Sequence, residues 1–324
     1  MKIVVLGSGG IANKAYLPLL CSWPEIDVAG IFSRTQENAE KVAAQWHIQL
    51  ATNDMHEILK TKPDAAFVLT NNATHFPLTL ELLKADVDVF VEKPMAETTE
   101  QVHQLAETAE KHQRILMGGF NRRFSLLYEQ ARQFFIDRHL SMAVVEKHRN
   151  VVSHVSLYNN YVDDTIHQID LIRHICGEVL PLHTQAQMEN GKLTGAVSLM
   201  KTSQNGLVIL LTSLKAGSWQ ERLTLHGEAF TVEVDAFRQL KVKGTEHDQL
   251  YGVDRPGKWI EDMKERGFFG AVGHFMDCVQ TRKQPLTNGW DVEKTHQLID
   301  KLVALTSEEQ VKPNGDWDKV KRWS

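Results

Sequence analysis

The run Gly7-Ser8-Gly9-Gly10-Ile11-Ala12 follows the apolar stretch Ile3 to Leu6 directly and opens an amphipathic one. The spacing G-x-G-x-x-A at a strand-to-helix turn leaves few architectures open. Gly7 permits the tight turn, Gly9 leaves room for a pyrophosphate to approach the backbone, and Ala12 lets helix and strand pack closely. Free N–H groups at the helix N-terminus then hold anions. A bare glycine pattern also fits an ordinary turn. The strand before it and the helix after it point to dinucleotide binding, with contacts at Gly7, Gly9, Gly10, Ile11 and Ala12.

The remainder of the first third keeps the same rhythm. Val28 to Phe32, Ala65 to Leu69, Val87 to Val91 and Ile115 to Met117 read as buried strands. Helical patterns lie between them, near Ile11 to Leu20, Gln36 to Trp46, Met55 to Leu59, Leu78 to Lys84 and Glu100 to His112. Such alternation predicts a doubly wound parallel sheet of Rossmann type with helices on both faces. After Phe120 the pattern changes. Helices are expected near Phe124 to Ile136 and Thr165 to Ile175, with strands at Met142 to Lys147, Leu193 to Met200, Leu207 to Ser213, Arg222 to Leu225 and Phe230 to Val234. Two helices, near Phe269 to Val279 and Val292 to Leu305, close the chain. At roughly 100–200 residues per domain, the 324 residues divide into an α/β cofactor domain, 1–120, and an α+β substrate domain on a largely antiparallel open sheet, 121–324.

Composition excludes several function classes. With 36 Lys+Arg against 41 Asp+Glu, the formal charge is -5, which offers no electrostatic footprint for nucleic acid or an anionic membrane. No apolar run approaches the ~20 residues that span a bilayer, and the N-terminus does not read as a signal peptide. A cytoplasmic location is expected. Cys21, Cys176 and Cys278 are an odd number at wide spacings, so buried free thiols are expected rather than disulfides or a Cys-based zinc site.

Three further segments bear on chemistry. An NAD-specific site usually carries an acidic residue at the end of the second strand. Asp27 lies at the start of that strand, and its end reads Ser33-Arg34-Thr35. No carboxylate there repels a 2'-phosphate and a guanidinium can pair with one, which favours NADP(H) over NAD(H). The strand Val87 to Val91 runs into Glu92-Lys93-Pro94 at the sheet edge where ligands of open α/β folds bind. Pro94 restricts Lys93 to extended conformations, and its ammonium can stabilise charge developing on an oxygen. A surface lysine ending a strand reads equally well from spacing alone. In Asp163-Asp164-Thr165-Ile166-His167-Gln168-Ile169-Asp170, Asp163, His167 and Asp170 fall at i, i+4 and i+7 on one helix face. That face is either a solvated polar surface or a proton-transfer set built on a histidine of suitable pKa. His174 extends the stripe, but no H-E-x-x-H pattern accompanies it and no catalytic metal is expected.

With Gly7 to Ala12, Glu92-Lys93-Pro94 and the Asp163–His167 segment in this order, the chain resembles the Gfo/Idh/MocA oxidoreductases over essentially its full length. Gly118-Gly119-Phe120-Asn121-Arg122-Arg123-Phe124, Glu146-Lys147-His148-Arg149 and Arg266-Gly267-Phe268-Phe269-Gly270 make it most similar to the MviM-like branch. The resemblance implies an NAD(P)-dependent dehydrogenase or reductase acting on CH–OH groups of a sugar, cyclitol or related polyol. It implies Lys93 beside nicotinamide and substrate, Asp163 binding substrate, and His167 as general base, with Asp170 completing the motif. Thr165 stands where many members carry Gly. Thr70, Asn71, His75 and Glu92 are expected at the cofactor, and Arg123 and Lys147, with Arg122 nearby, at the substrate, although Arg123 reads equally as a structural ion pair. A homodimer through the exposed face of the second sheet is implied. Two alternatives share these residues: a redox-assisted lyase or glycosidase that retains its cofactor, and a non-enzymatic NADP(H) sensor.

Overall fold

The computed structural model describes residues 1–244, 246–252 and 262–306; the end of the second expected domain, 307–324, lies outside them. The first sheet is built from β1 (Lys2–Leu6), β2 (Asp27–Phe32), β3 (Leu50–Thr52), β4 (Ala65–Val68), β5 (Asp88–Val91) and β6 (Leu116–Gly118). All pairs are parallel, in the order β3-β2-β1-β4-β5-β6, the doubly wound dinucleotide-binding topology. β4 and β5 are buried at every position, as strands covered on both faces must be. Their connections are α1 (Leu17–Ser22), α2 (Gln36–Trp46), α3 (Met55–Lys60), α4 (Asn72–Lys84) and α5 (Thr99–Lys111). Helix α4 begins six residues before the expected Leu78, because Pro77 is accommodated inside it rather than opening it.

The second half contains α6 (Leu126–Gln133), β7 (Met142–His148), α7 (Leu157–Asn160), α8 (Ile166–Cys176), β8 (Val179–Glu189), β9 (Lys192–Thr202), β10 (Leu207–Ser213), β11 (Gln220–His226), β12 (Thr231–Asp235), β13 (Gln239–Lys243) and β14 (Asp248–Tyr251). The helices α9 (Asp262–Glu265), α10 (Phe268–Thr281) and α11 (Gly289–Ala304) follow. The eight strands form one sheet, β14-β13-β12-β11-β7-β10-β9-β8. Every pair is antiparallel except β7 with β10. Period-two alternation buries Ala143, Val145 and Lys147 of β7 beneath the helices and leaves Val144 and Glu146 on the more open face. The charged Lys147 thereby enters the interior, and the register places Glu221 of β11 directly opposite it.

The two closing helices return to the first sheet. Phe268, Val272 and Phe275 of α10 share a core with Ile3, Val5, Phe67 and Phe90. Phe275 lies 5.3 Å from the Phe67 ring and 5.6 Å from Phe90, and Phe268 lies 5.5 Å from Tyr16. On the opposite face Leu298 and Leu302 of α11 join Val102 and Leu105 of α5. Cys176 and Cys278 are wholly or partly shielded free thiols. The expectation of burial fails for Cys21, which is exposed on the last turn of α1. Among the described residues no helix is long and apolar enough to cross a membrane.

His296 of α11 is buried, with no hydrogen-bond partner on either ring nitrogen among the described residues. Burial pushes its pKa down to about 4. The unfolded chain therefore binds a proton near pH 6.5 that the native state refuses until about pH 4, so stability falls as pH drops through that window. The shift corresponds to about 3 kcal/mol. His296→Leu is expected to flatten this part of the acid-denaturation curve, measured by urea unfolding from pH 7 to pH 4. An unchanged slope would contradict it.

Candidate active site

The phosphate turn is built as its spacing requires. Gly7 has φ +117°, and a Cβ there would lie 2.5 Å from the Leu69 carbonyl oxygen, so no side chain fits. At Gly9 and Gly10 a Cβ would meet nothing within 4 Å. Nothing among the described residues demands glycine at those two positions; the open space in front of the backbone suits a bound pyrophosphate. The Asn13 amide spans the Ser8 and Gly9 carbonyls at 2.9 and 3.0 Å, and Trp46 Nε1 donates to Asn13 Oδ1 at 3.0 Å. Residues Ala12–Tyr16 form a π-helical turn before α1 begins. Ser33 is buried at the end of β2, its hydroxyl 2.7 Å from that of Ser8. Arg34 is exposed and has no partner among the described residues. The Thr35 side chain caps α2 by accepting from Asn38 N.

Around the following strands the expected cofactor contacts separate. Thr70 and Asn71 stand at the exposed mouth of α4, where the Thr74 hydroxyl donates to Thr70 Oγ1 at 2.8 Å and to the Asn71 carbonyl at 3.0 Å. His75 does not reach that mouth. It is 1% exposed, with Nδ1 2.6 Å from the Pro94 carbonyl and Nε2 3.1 Å from that of Thr70, so it ties two loops together. Glu92 is likewise buried: it accepts from Tyr16 OH at 2.6 Å and from Lys93 N at 2.8 Å.

Lys93, joined to Pro94 by a cis peptide, sends Nζ across to donate to the Asp163 carbonyl at 2.5 Å. That carbonyl belongs to a π-helical turn, Tyr161–Thr165, which precedes α8. The wider turn breaks the single face expected of Asp163, His167 and Asp170. Asp163 is half exposed, accepting from Asn72 Nδ2 at 2.9 Å and lying 3.2 Å from His154 Nε2. The hydrogen bond from His154, with those of Asn72 and the nearby Lys93 charge, holds its carboxyl well below the usual carboxylate range. Asp170 is turned away into a buried pair, accepting from Arg123 Nε at 2.8 Å and Nη2 at 2.5 Å.

His167 sits between these groups, buried, with Nε2 3.2 Å from Arg122 Nη1 and Nδ1 lacking a partner. Burial first, then the charges of Arg122, Lys93, Lys147 and Arg149, push its pKa well down. The cations are anchored by carboxylates. Glu221 accepts from Arg122 Nε at 3.2 Å and Nη2 at 2.7 Å, and also from Lys147. Burial works to raise its pKa, but Arg122 and Lys147 hold it far below the ordinary range. Arg149 pairs with Asp164, which lies 3.7 Å from Lys147 Nζ.

Two expected substrate contacts are therefore reassigned by geometry. Arg123 is enclosed by Asp170 and by Asp291 at 2.7 Å, and Lys147 is 1% exposed against Glu221. Neither offers a free cation to a ligand. Asn72, His154, Glu221 and Asp164 were not singled out from the sequence. Asn72 and Glu221 lie 91 and at least 74 residues from the groups they hold, while His154 and Asp164 lie only nine and 15 residues from theirs but across a loop with no regular period; only Glu221, on an alternating strand with a charge at an inward position, left a trace.

Residues 1–120 match the family model described as the oxidoreductase family with an NAD-binding Rossmann fold, GFO_IDH_MocA. The chain is 29% identical to YceM of Salmonella typhimurium over 310 residues, 93% of this chain and 97% of that one. It is 24% identical to a scyllo-inositol 2-dehydrogenase (NAD(+)) of Bacillus subtilis, over 95% of this chain and 94% of that one. Among solved structures, the dehydrogenase MviM of Clostridium difficile superposes with a TM-score of 0.86 at 26% identity, covering 93% of this chain and 98% of the other. Residues 1–120 therefore belong to the Gfo/Idh/MocA family of NAD-binding oxidoreductases, and over nearly its whole length the chain is similar in sequence to YceM and in fold to the dehydrogenase MviM.

Proposed function

We propose that this protein is an NADP(H)-dependent oxidoreductase acting on a carbinol or carbonyl carbon of a sugar, cyclitol or related polyol. The observation that carries the reading is the 2.5 Å contact between Lys93 Nζ, at the edge of the nucleotide-binding sheet, and Asp163, on the turn that leads to His167. It sets one ammonium, one exposed carboxylate and one buried imidazole around the end of β5, where open α/β sheets take their ligands. A nicotinamide, when bound, would supply or accept the two electrons as hydride at C4. Gly7, Gly9, Gly10, Ile11 and Ala12 hold the pyrophosphate, and Thr70 and Asn71 border the ribose. Lys93 meets the reacting oxygen beside His167, and Asp163 holds neighbouring substrate hydroxyls. Residues 1–120 serve the cofactor, and 121–324 serve the substrate and a homodimer interface.

The NADP(H) preference rests on Ser33-Arg34-Thr35. Arg34 is exposed and unpaired among the described residues, and Asp27, at the opposite end of β2, cannot oppose a 2'-phosphate. The NAD(+) named for the Bacillus subtilis relative makes this a property to measure rather than inherit. A thermal-shift comparison of NAD, NADH, NADP and NADPH tests it. At a thousandfold excess over Kd, a ligand specific for the native state adds about 4 kcal/mol, so NADPH is expected to raise Tm by several degrees more than NADH. Arg34→Ala should remove the difference. Equal shifts by NADH and NADPH would refute the preference, and a polyol panel run with the better cofactor then tests the reaction.

A further inference from the structure

The carboxylate of Asp163 is held from both halves of the chain. Asn72, in the first turn of α4, donates from Nδ2 to Oδ1 at 2.9 Å, and His154, in the loop between β7 and α7, has Nε2 3.2 Å from Oδ2. An ionised carboxylate only accepts, with about four lone-pair sites on its two oxygens. Asn72 and His154 occupy two of them. The side chain is 50% exposed, so about two sites remain for donors arriving from solution.

An acceptor-only group repels a bare lone pair, so the proton of His154 is on Nε2. In the neutral ring Nδ1 then carries the lone pair, and both groups near it are able to donate: Ser153 Oγ at 3.4 Å and Asn160 Nδ2 at 3.5 Å. Asn160 is buried and accepts at Oδ1 from the hydroxyl of Thr165, 2.9 Å away and also buried. The side chain of Thr165 therefore bears on a ligand only through Asn160 and His154. The loop itself is fastened to β9, where Leu193 N donates to the His154 carbonyl at 3.0 Å.

We infer that His154 is a positioning residue whose Nε2–H fixes the Asp163 carboxylate with its remaining lone pairs toward substrate hydroxyls, and that Thr165 supports this setting through Asn160. The inference rests on the oxidoreductase reading above and narrows its ligand. The substituent that meets Asp163 has to be a donor such as a hydroxyl, because a carboxylate or carbonyl there would set acceptor against acceptor. Half-burial of Asp163 works against its charge, but the His154 hydrogen bond, then that of Asn72 and the charge of Lys93, keep it ionised and accepting at neutral pH.

The full-length, unliganded protein gives the first measurement. With 15N-labelled histidine, long-range proton–nitrogen correlation at pH 7 is expected to show a proton on His154 Nε2, its signals assigned by their loss in His154→Gln. Kinetics give the second. His154→Leu is expected to raise KM for the best polyol by about tenfold, the worth of one hydrogen bond to a charged group, with a smaller change in kcat and an unaltered thermal shift by NADPH. His154→Gln, which restores an N–H donor, should recover most of the loss, and Thr165→Val should give a weaker rise in KM. In an Asp163→Asn background His154→Leu should add little, because the group it acts through is already altered. An unprotonated Nε2 in the unmodified protein overturns the inference, as does an unchanged KM in folded His154→Leu or a full further loss in the Asp163→Asn background. If His154→Leu does not fold, Thr165→Val and the tautomer of the unmodified chain still decide. A protein with Nε2 protonated that turns over no polyol refutes the proposed reaction and leaves the hold of His154 on Asp163 standing.

Discussion

Lys93→Met is expected to lower turnover of the best polyol substrate by about 10²- to 10³-fold, the range for losing a donor that stabilises charge on the reacting oxygen, while NADPH still raises the melting temperature. Methionine keeps the length of the apolar stem and removes the ammonium. The phosphate turn, Ser33 and the rest of the cofactor surface are built by other segments, so nucleotide binding has no reason to disappear with the charge. The contrast with His167 is informative. If His167 carries the proton and Lys93 polarises and orients the oxygen, His167→Gln should lose at least as much activity as Lys93→Met. Single-turnover rates at saturating cofactor, with thermal shifts for binding, separate the cases. Unimpaired turnover in Lys93→Met would remove the lysine from the mechanism, and joint loss of binding and turnover would assign it to the cofactor instead.

The second large effect is on stability. Arg123→Met should destabilise the fold by about 3–5 kcal/mol, the cost of leaving a buried carboxylate uncompensated, and Asp170→Asn by less, because Asp291 still faces the guanidinium. Arg123 and Asp170 side chains are 6% and 0% exposed and joined through two nitrogens and two oxygens, with Thr295 Oγ1 3.2 Å from Asp170 Oδ1. The pair ties α8 to α11 and to the segment leaving the first sheet. Urea unfolding supplies the stability measurement, and KM for the polyol should not change in whatever folded protein remains. A raised KM at unchanged stability would return Arg123 to the substrate-binding role that its place in the sequence suggested.

What could be read from residue order follows from the range of the interactions involved. Five of the six strands of the first sheet were legible because strands covered on both faces are continuous apolar runs, such as Ala65 to Val68, and because Gly7 answers to a backbone rule that acts over a few residues; β3, three residues long at the sheet edge, was missed. β8, β13 and β14 were not legible either. They lie at or near the sheet edges with mixed exposure, and β8 carries Pro181 and irregular register against β9, so neither alternation nor an apolar run announces them.

The site divides the same way. Lys93 was placed by the proline after it, whereas Asp163, His167 and Asp170 were projected onto one face at 100° per residue. That projection fails across a π turn, where each residue advances by less and Asp163 rotates out of phase. Two adjacent arginines, Arg122 and Arg123, look interchangeable in sequence. The 3-10 turn sends one to Glu221 and His167 and the other to Asp170. Their partners lie 99 and 47 residues away, beyond any local pattern.

The return of α10 to the first sheet has a consequence for how this architecture can be taken apart. Tyr16, Phe67 and Phe90 belong to the nucleotide-binding half in sequence, but their aromatic lid, Phe268 and Phe275, arrives from the far side of the second sheet. The halves are modules of topology without being modules of solvation. Exchanging one for the counterpart in a relative would bring together two halves of a single ring cluster that had never been fitted to each other. Successful chimaeras would have to carry the segment from Phe268 to Thr281 along with the glycine turn, although nearly the whole chain separates them.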